Sequence, residues 1–438
     1  MQLPYGSKST VNKRNKKGGG KVHEIVKYVN LASGEILPFS LTKDDEYLDS
    51  NYEIDNLIDI INQPIIKPHF KIYVLFPDET IDYEIPIEDI KSGGSYNESY
   101  QNGQRRSLSF SLYNEDGAYT ASINNIWVGT RLQLELGIEQ DNGTIIWFHK
   151  GIFIINSVNP SNTPDDKSVN VTAQDKFSIF ENKSGILEDT YEIPVGSEIE
   201  KIINHILTQT NGDNVMFDPK TIIYHHAFKG RKTQITISKN AGDSYGSILL
   251  DLATQLSAEI FYNTLGHLVI IPIKEITTDI NKPLIFKFNS DNGDLSGLDF
   301  GFNMDEIINK VIVISSSNDG GFHKAIAVND DPGSPLSVQR IGYRTAPIIN
   351  DSNISSDMLA QERANYELRK QLVLKTSTTI NIIFNPLLNV NNLISITDEF
   401  FDFIDERFLI SSISCPLDYS GTMSVTISNI TNLSFLTK

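Results

Sequence analysis

Hydrophobic and polar residues alternate along two long stretches of the chain, from about residue 69 to 180 and from about residue 283 to 430. In the first stretch, single serines separate Leu108, Phe110 and Leu112, which places the apolar side chains on one face of a strand. This period of two is typical of antiparallel sheet with one face in water. The first stretch holds about six or seven such segments, enough for a sandwich or a barrel.

Between the two stretches the period changes to that of an amphipathic helix. Isoleucines and a leucine at helical spacing predict a helix over residues 197–211, and Ser197 to Glu200 reads as a capping box. Gly212 would end this helix. A second helix is predicted over residues 244–256, followed by a hairpin over 259–262 and 267–273. These elements predict a small α+β domain.

The first residues lack the apolar content of a folded core. Residues 1 to about 35 are Lys- and Gly-rich, which predicts an arm without structure of its own. A short docking helix is predicted over 51–62, stopped by Pro64.

The fold class that follows is mainly β, with two antiparallel β-barrel or sandwich domains of the tube type and a small α+β domain between them. The predicted segments are the arm and docking helix at 1–66, the first β domain at 67–185, the α+β domain at 186–278 and the second β domain at 279–438. The second β domain carries an inserted loop and helix at about 316–372.

Charge is distributed unevenly over the 438 residues, whose formal net charge is −18. Residues 1–30 carry seven Lys or Arg against Glu24, a net +6, so the rest of the chain carries −24. An acidic body disfavours specific DNA binding, and it fits either a soluble surface or a channel that DNA passes without adhering. Cys415 is the only cysteine, so no intramolecular disulfide is possible, and no apolar run is long enough for a membrane segment.

Chemistry-bearing residues do not form a recognisable catalytic pattern. His225 and His226 would point to opposite faces of a strand, and Cys415 in an apparent strand reads as a packing residue. Trp147, between Ile146 and Phe148, also reads as a core residue. We therefore predict no catalytic residue, metal or cofactor. Two carboxylates suffice for a glycosidase, so a cell-wall hydrolase and a glycan-binding protein stay open as alternatives.

Several short motifs in a fixed order resemble the central baseplate hub proteins of contractile-tailed phages and related phage-tail-like particles. The resemblance spans about residues 67–430. It rests on the segments RRSLSFSL (105–112), RLQL (131–134), WFHKGIFIIN (147–156), QDK (174–176), ERANYEL (362–368), FNPLL (384–388) and LISI (393–396), together with Trp127 and a capped helix after residue 193.

This resemblance implies a structural role at the end of a tail tube. A homotrimer would present its six β domains as a pseudo-sixfold ring to the tail tube protein, with a spike or puncturing protein docked on the other side. The tape-measure protein and the baseplate wedge are further expected partners, DNA would pass only in transit, and the protein would lie in the virion tail after assembly in the host cytoplasm.

The basic arm is not explained by the resemblance. Lys13, Arg14, Lys16 and Lys17 are predicted to bind a partner, because the acidic body of a neighbouring subunit would attract them. The alternative is that they contact DNA or the tape-measure protein in the channel.

Overall fold

A computed structural model describes the chain over nineteen stretches, and the architecture below refers to these residues. They are 24–30, 35–42, 67–119, 126–140, 143–164, 166–181, 183–211, 215–216, 218–272, 284–293, 295, 298, 307–316, 322–334, 336–352, 354–375, 377–401, 403–419 and 421–429. The mainly β prediction is confirmed. No described helix is both long and apolar enough to cross a membrane. The docking helix predicted at 51–62 lies outside the described residues.

Two strands precede the first β domain. β1 (Glu24–Asn30) and β2 (Glu35–Thr42) form an antiparallel hairpin, and β2 pairs with residues 145–148 of the first β domain. The prediction of an unstructured arm up to about residue 35 is therefore wrong from residue 24 onward. The adjacent Tyr28 and Val29 and the apolar run at residues 36–39 were a strand signal that the basic composition obscured.

The first β domain folds one sheet back on itself around a long strand. The first half of β8 pairs with β7 and its second half pairs with β9, so the sheet turns and encloses the alternating apolar side chains. Gly143 takes a left-handed φ of 78° at the turn between β7 and β8, where a hairpin was predicted. The strands are β3 (Lys67–Leu75), β4 (Ile81–Glu84), β5 (Ile90–Ser99), β6 (Arg106–Tyr113), β7 (Arg131–Glu139), β8 (Ile145–Asn162) and β9 (Lys167–Asp175).

The α+β domain has its own core, built from the apolar faces of two helices and a small sheet. Its elements are α1 (Ser178–Glu181), β10 (Tyr191–Ile193), α2 (Ile199–Thr208), β11 (Thr210–Asn211), β12 (Val215–Met216), β13 (Ile223–Tyr224), β14 (Ile237–Lys239), α3 (Tyr245–Leu256), β15 (Ala258–Tyr262) and β16 (Leu268–Pro272). The two predicted helices and the hairpin β15–β16 are confirmed.

The two helices differ at their N-termini. Ser244 caps α3, because its hydroxyl accepts a hydrogen bond from the N–H of Ser247 at 3.1 Å. The capping box predicted for α2 is wrong: Ser197 donates its hydroxyl to the Pro194 carbonyl at 2.7 Å, and Glu198 is the N-cap residue without a side-chain cap. The predicted stop at Gly212 lies outside the described residues, and α2 ends at Thr208.

The last third contains two separate units instead of one. The predicted strand at 310–315 does not join the second β domain, and it forms a small sheet with a strand inside the segment predicted as a loop. This unit comprises β18 (Lys310–Ser316), β19 (Phe322–Val328), α4 (Val338–Ile341), β20 (Ile349–Asn350) and α5 (Asp357–Lys375). Its core also includes Leu393 and Leu409 of the second β domain. The second β domain comprises β17 (Leu284–Asn289), β21 (Ser377–Ile383), β22 (Leu393–Asp398), β23 (Phe403–Leu417) and β24 (Thr422–Asn429).

The two β domains share one sheet and one core. Residues 412–417 of β23 pair antiparallel with residues 94–99 of β5, and fourteen of the described strands thereby form a continuous sheet. Gly94 permits the close approach of β5 to β6, because a Cβ there would lie 2.8 Å from the Ser109 carbonyl oxygen, and Leu417 of β23 would lie 3.3 Å from the same Cβ. The domains are sandwich-like, and the described strands do not close a barrel. One pair, β17 with β22, is parallel and departs from the antiparallel prediction.

Candidate functional site: a buried ionic junction between the domains

Five charged side chains meet beneath the turn between β3 and β4, in what we call the Glu79 cluster. Lys176 is wholly buried, and its ammonium group lies 2.5 Å from Glu79 Oε1 and 2.6 Å from Asp218 Oδ1. Arg131 Nη1 lies 2.7 Å from the same Glu79 oxygen, and Lys220 Nζ lies 3.2 Å from the other. The cluster joins the first β domain, which supplies Glu79, Arg131 and Lys176, to the α+β domain.

The electrostatics of this cluster favour the charged form of Glu79. Burial alone would raise the pKa of Glu79, but the nearby Lys176, Lys220 and Arg131 outweigh it and hold that pKa below the ordinary value. Tyr262 donates its hydroxyl to Asp218 Oδ2 at 2.6 Å. Burial, reinforced by Asp218, raises the pKa of Tyr262 well above its ordinary value, so the phenol remains a donor at neutral pH.

A second group, the Arg106 cluster, lies where β5, β6 and the end of β9 meet. The Arg106 guanidinium donates to Glu98 Oε1 and to the Tyr262 carbonyl. Asp175 Oδ2 accepts the backbone N–H groups of Arg105 and Arg106 at 2.6 and 2.9 Å. Burial raises the pKa of Asp175, and these backbone hydrogen bonds oppose the rise.

The second β domain contributes a backbone acceptor, a side-chain acceptor and a backbone donor to the Arg106 cluster. Lys150 Nζ on β8 donates to the Leu388 carbonyl at 2.9 Å and to Asn389 Oδ1 at 3.2 Å. The backbone N–H of Val390 lies 3.4 Å from Glu98 Oε2. Burial lowers the pKa of Lys150 to about 8, so its ammonium form still predominates at neutral pH. The Arg106 cluster thus connects the two β domains and the α+β domain.

A buried ion pair completes the contact between β6 and the α+β domain. Arg105 Nη2 lies 3.1 Å from Glu259 Oε2, and its guanidinium carbon lies 3.5 Å from the centre of the Phe261 ring. Tyr100 donates its hydroxyl to the other oxygen of Glu259. Together with the Glu79 and Arg106 clusters, this pair forms what we call the ionic junction.

The ionic junction is suited to fixing domains and leaves little room for a substrate. The cavity beside Arg105 and Arg106 has a volume of about 30 Å³, whereas ligand pockets commonly measure several hundred. In the described part of the chain, no group of three or more His, Cys, Asp or Glu side chains could hold a metal ion. His225 and His226 lie outside the strand predicted for them, and their ring centres are 4.2 Å apart.

The sequence-predicted site residues and the ionic junction do not coincide. Lys13, Arg14, Lys16 and Lys17 lie outside the described residues. The junction was missed as a site, although three of the motifs that carry the resemblance contain Arg105, Arg106, Lys150, Asp175 and Lys176. One signal was available: Arg106 shares the period of two with the inward-facing Leu108, Phe110 and Leu112, which predicts a buried arginine.

Comparison with known proteins places this fold among tail proteins. A family described as Domain of unknown function (DUF5048) matches residues 333–434, and no curated protein matches the chain. The chain is similar to the 43 kDa tail protein of prophage MuSo2 from Shewanella oneidensis, with a TM-score of 0.56, 16% identity and coverage of 83% of this chain and 99% of that chain. It is also similar to the tail protein from Neisseria meningitidis MC58, with a TM-score of 0.55, 12% identity and coverage of 82% and 97%. The chain therefore has the fold of phage tail proteins, which confirms at the level of fold the resemblance found in the sequence.

Proposed function

We propose that the chain is a structural hub at the end of a phage tail tube, and that it has no hydrolytic activity. The observation that carries the proposal is the ladder between β5 and β23, which joins both β domains in one sheet of a chain with the fold of tail proteins. The continuous sheet and the shared core hold the two β domains in one orientation. The ionic junction adds contacts between the same domains. Three such subunits would present six β domains as a pseudo-sixfold ring.

The charge of the chain supports a channel role for this ring. Residues 31–438 carry a net −24, and a surface of the same sign as DNA repels it over the distance of a Debye length. DNA in transit would therefore slide past the lumen without specific contacts. In this assembly the tail tube protein binds one side of the ring and a spike or puncturing protein the other, with the tape-measure protein and the baseplate wedge as further neighbours in the virion.

The arm is proposed to connect subunits. Lys13, Arg14, Lys16 and Lys17 would contact the acidic surface of the next subunit. Exposed ion pairs contribute only about 0–1 kcal/mol each, so they would guide assembly more than hold it. Deleting residues 1–20 should reduce ring assembly at low salt, and the difference from the unchanged chain should shrink at high salt, which screens the ion pairs. Normal tails with impaired DNA delivery would instead assign the arm to the channel.

The oligomeric state of the purified chain tests the hub directly. Light scattering after size exclusion should give three times the mass of one chain, and negative-stain images should show a ring with near-sixfold features. A monomer at all concentrations, or a ring without threefold symmetry, would overturn the proposal. Clearing of bacterial cell walls by the pure protein, abolished by changing one carboxylate, would favour the hydrolase alternative.

A further inference from the structure

The hairpin between β22 and β23 exposes large apolar side chains that the fold does not use. Phe400 and Ile404 are 89% and 80% exposed, more than any other large apolar residue among those described. Beneath them Phe401 and Phe403 stack with ring centres 5.6 Å apart, and Phe403 packs on the buried Phe408. At the start of the turn, Asp398 Oδ1 accepts the Phe401 N–H at 3.0 Å. Exposed apolar groups on a rigid support mark an interaction surface.

The composition of this hairpin indicates the chemistry of its partner. Residues 398–406 read DEFFDFIDE, so every position is either acidic or large and apolar. We call this segment the acidic knob. Acid side chains beside aromatic rings suit a surface that offers both cations and apolar stems, as arginine and lysine do.

The α+β domain carries a surface of that kind. Residues 219–242 contain five Lys or Arg and no acid, in a chain that is otherwise acidic. Lys220 belongs to the Glu79 cluster and Lys239 pairs with Asp251, which leaves Lys229, Arg231 and Lys232 on an exposed turn. Within the described part of the chain no salt bridge holds these three, and the neighbouring Glu198 is already paired with Lys201 at 2.6 Å. We call residues 225–232 the basic loop.

We propose that the acidic knob of one copy docks on the basic loop of a second copy of this chain. The inference rests on the proposed function, since it assumes that copies assemble, and it adds the surfaces that meet. Glu399 is exposed, as is Asp405, which pairs with the exposed Lys287 at 3.2 Å, and these acids are complementary in charge to the basic loop. Phe400 can lie against the guanidinium or ammonium groups of the loop. Because knob and loop are different surfaces, the contact is head-to-tail, and such contacts close into rings when the rotation between copies allows it.

Two variants disrupt the two surfaces of this contact one at a time. Phe400→Ser/Ile404→Ser removes the knob, and Lys229→Glu/Arg231→Glu/Lys232→Glu reverses the loop. All five side chains are exposed, so both variants should fold, which circular dichroism checks. In sedimentation velocity, each variant alone should associate at least tenfold more weakly than the unchanged chain. Glu115→Lys, at an exposed acid on the first β domain, is the matched control and should assemble normally.

Mixing the variants gives the decisive result. A one-to-one mixture retains one intact knob and one intact loop per pair, so it should form dimers that cannot close a ring. Two folded variants that assemble like the unchanged chain would overturn the knob–loop contact and leave the hub intact. A mixture that stays monomeric would also overturn it. An unchanged chain that is monomeric at every concentration would overturn both proposals.

Discussion

At the scale of single residues, the ionic junction depends on charges that are buried yet matched. Lys176 Nζ has three oxygen partners, from Glu79, Asp218 and the Gly266 carbonyl. Each N–H of the buried ammonium group therefore has an acceptor. A buried ion pair is not a sure source of stability, because desolvation offsets its attraction. Removing one partner is costly in every case, since the other charges stay buried without compensation. We infer that the junction specifies the positions of the domains more than it stabilises the fold.

Lys176→Met tests this asymmetry. The methionine keeps the volume but leaves Glu79 and Asp218 without the ammonium between them, so unfolding free energy should fall by about 3–5 kcal/mol. Denaturant titration measures the change. Lys201→Met is the control, since Lys201 is exposed and solvent screens its pair with Glu198, so the substitution should change stability little. Equal effects of the two substitutions would show that the Lys176 charge is not needed.

Glu135 on β7 makes a separate prediction about pH. Burial raises its pKa to about 7 from an ordinary value of 4.5, although Lys71 opposes the rise, and His149 Nδ1 lies 3.2 Å from its Oε1. Because its pKa is higher in the folded protein, Glu135 contributes stability that is fully present below about pH 4.5. This contribution is lost as the pH rises through 7. Glu135→Gln cannot titrate, so its stability relative to the unchanged chain should improve by about 1–3 kcal/mol between pH 5 and pH 8. Parallel pH profiles of the two proteins would contradict this.

At the scale of elements, the sequence predicted what local pattern determines and missed what distant residues determine. The helical face of α3 depends on neighbours in the chain and was predicted correctly, and the structure shows that Ser244 caps this helix locally. Ser197 has the same local pattern, but Thr233 accepts its backbone N–H at 3.0 Å, and Pro194 takes its hydroxyl. The strand β19 was missed because its exposed face carries Phe322 and Ile326, which blurs the alternation. Pairing across the chain decided both cases.

Ile203 tests the helix packing in the α+β domain. It is buried on α2 in the same core as Ile248 and Leu252 of α3. Ile203→Ala should lower the unfolding free energy by about 2–5 kcal/mol, the cost of truncating a buried aliphatic side chain. Asn204→Ala, one position along on the exposed face, should change it by less than about 0.5 kcal/mol. Similar small values for both would show that α2 does not bury this face.

At the scale of the whole molecule, the ladder between β5 and β23 makes two sequence-separated regions one structural unit. The alternation predicted two β domains, but it could not predict that they share a sheet, because register between distant strands leaves no local pattern. Glu98, with Tyr96 on the inward face of β5, marks the place where the ladder and the ionic junction meet. We therefore expect the two β domains to lose structure together.

The chain contains natural probes for this expectation. Both tryptophans, Trp127 and Trp147, lie in the first β domain, and the only cysteine, Cys415, lies on β23 in the second. Cys415 is wholly buried, and burial raises the pKa of its thiol to about 12, so it should react with thiol reagents only after unfolding. In guanidinium chloride, tryptophan fluorescence and pulsed thiol labelling should therefore give the same midpoint. Gly94→Val, which forces a side chain against the Ser109 carbonyl beside the ladder, should lower both midpoints equally. Midpoints that separate, or a Gly94→Val shift confined to fluorescence, would mean that the shared sheet does not couple the domains.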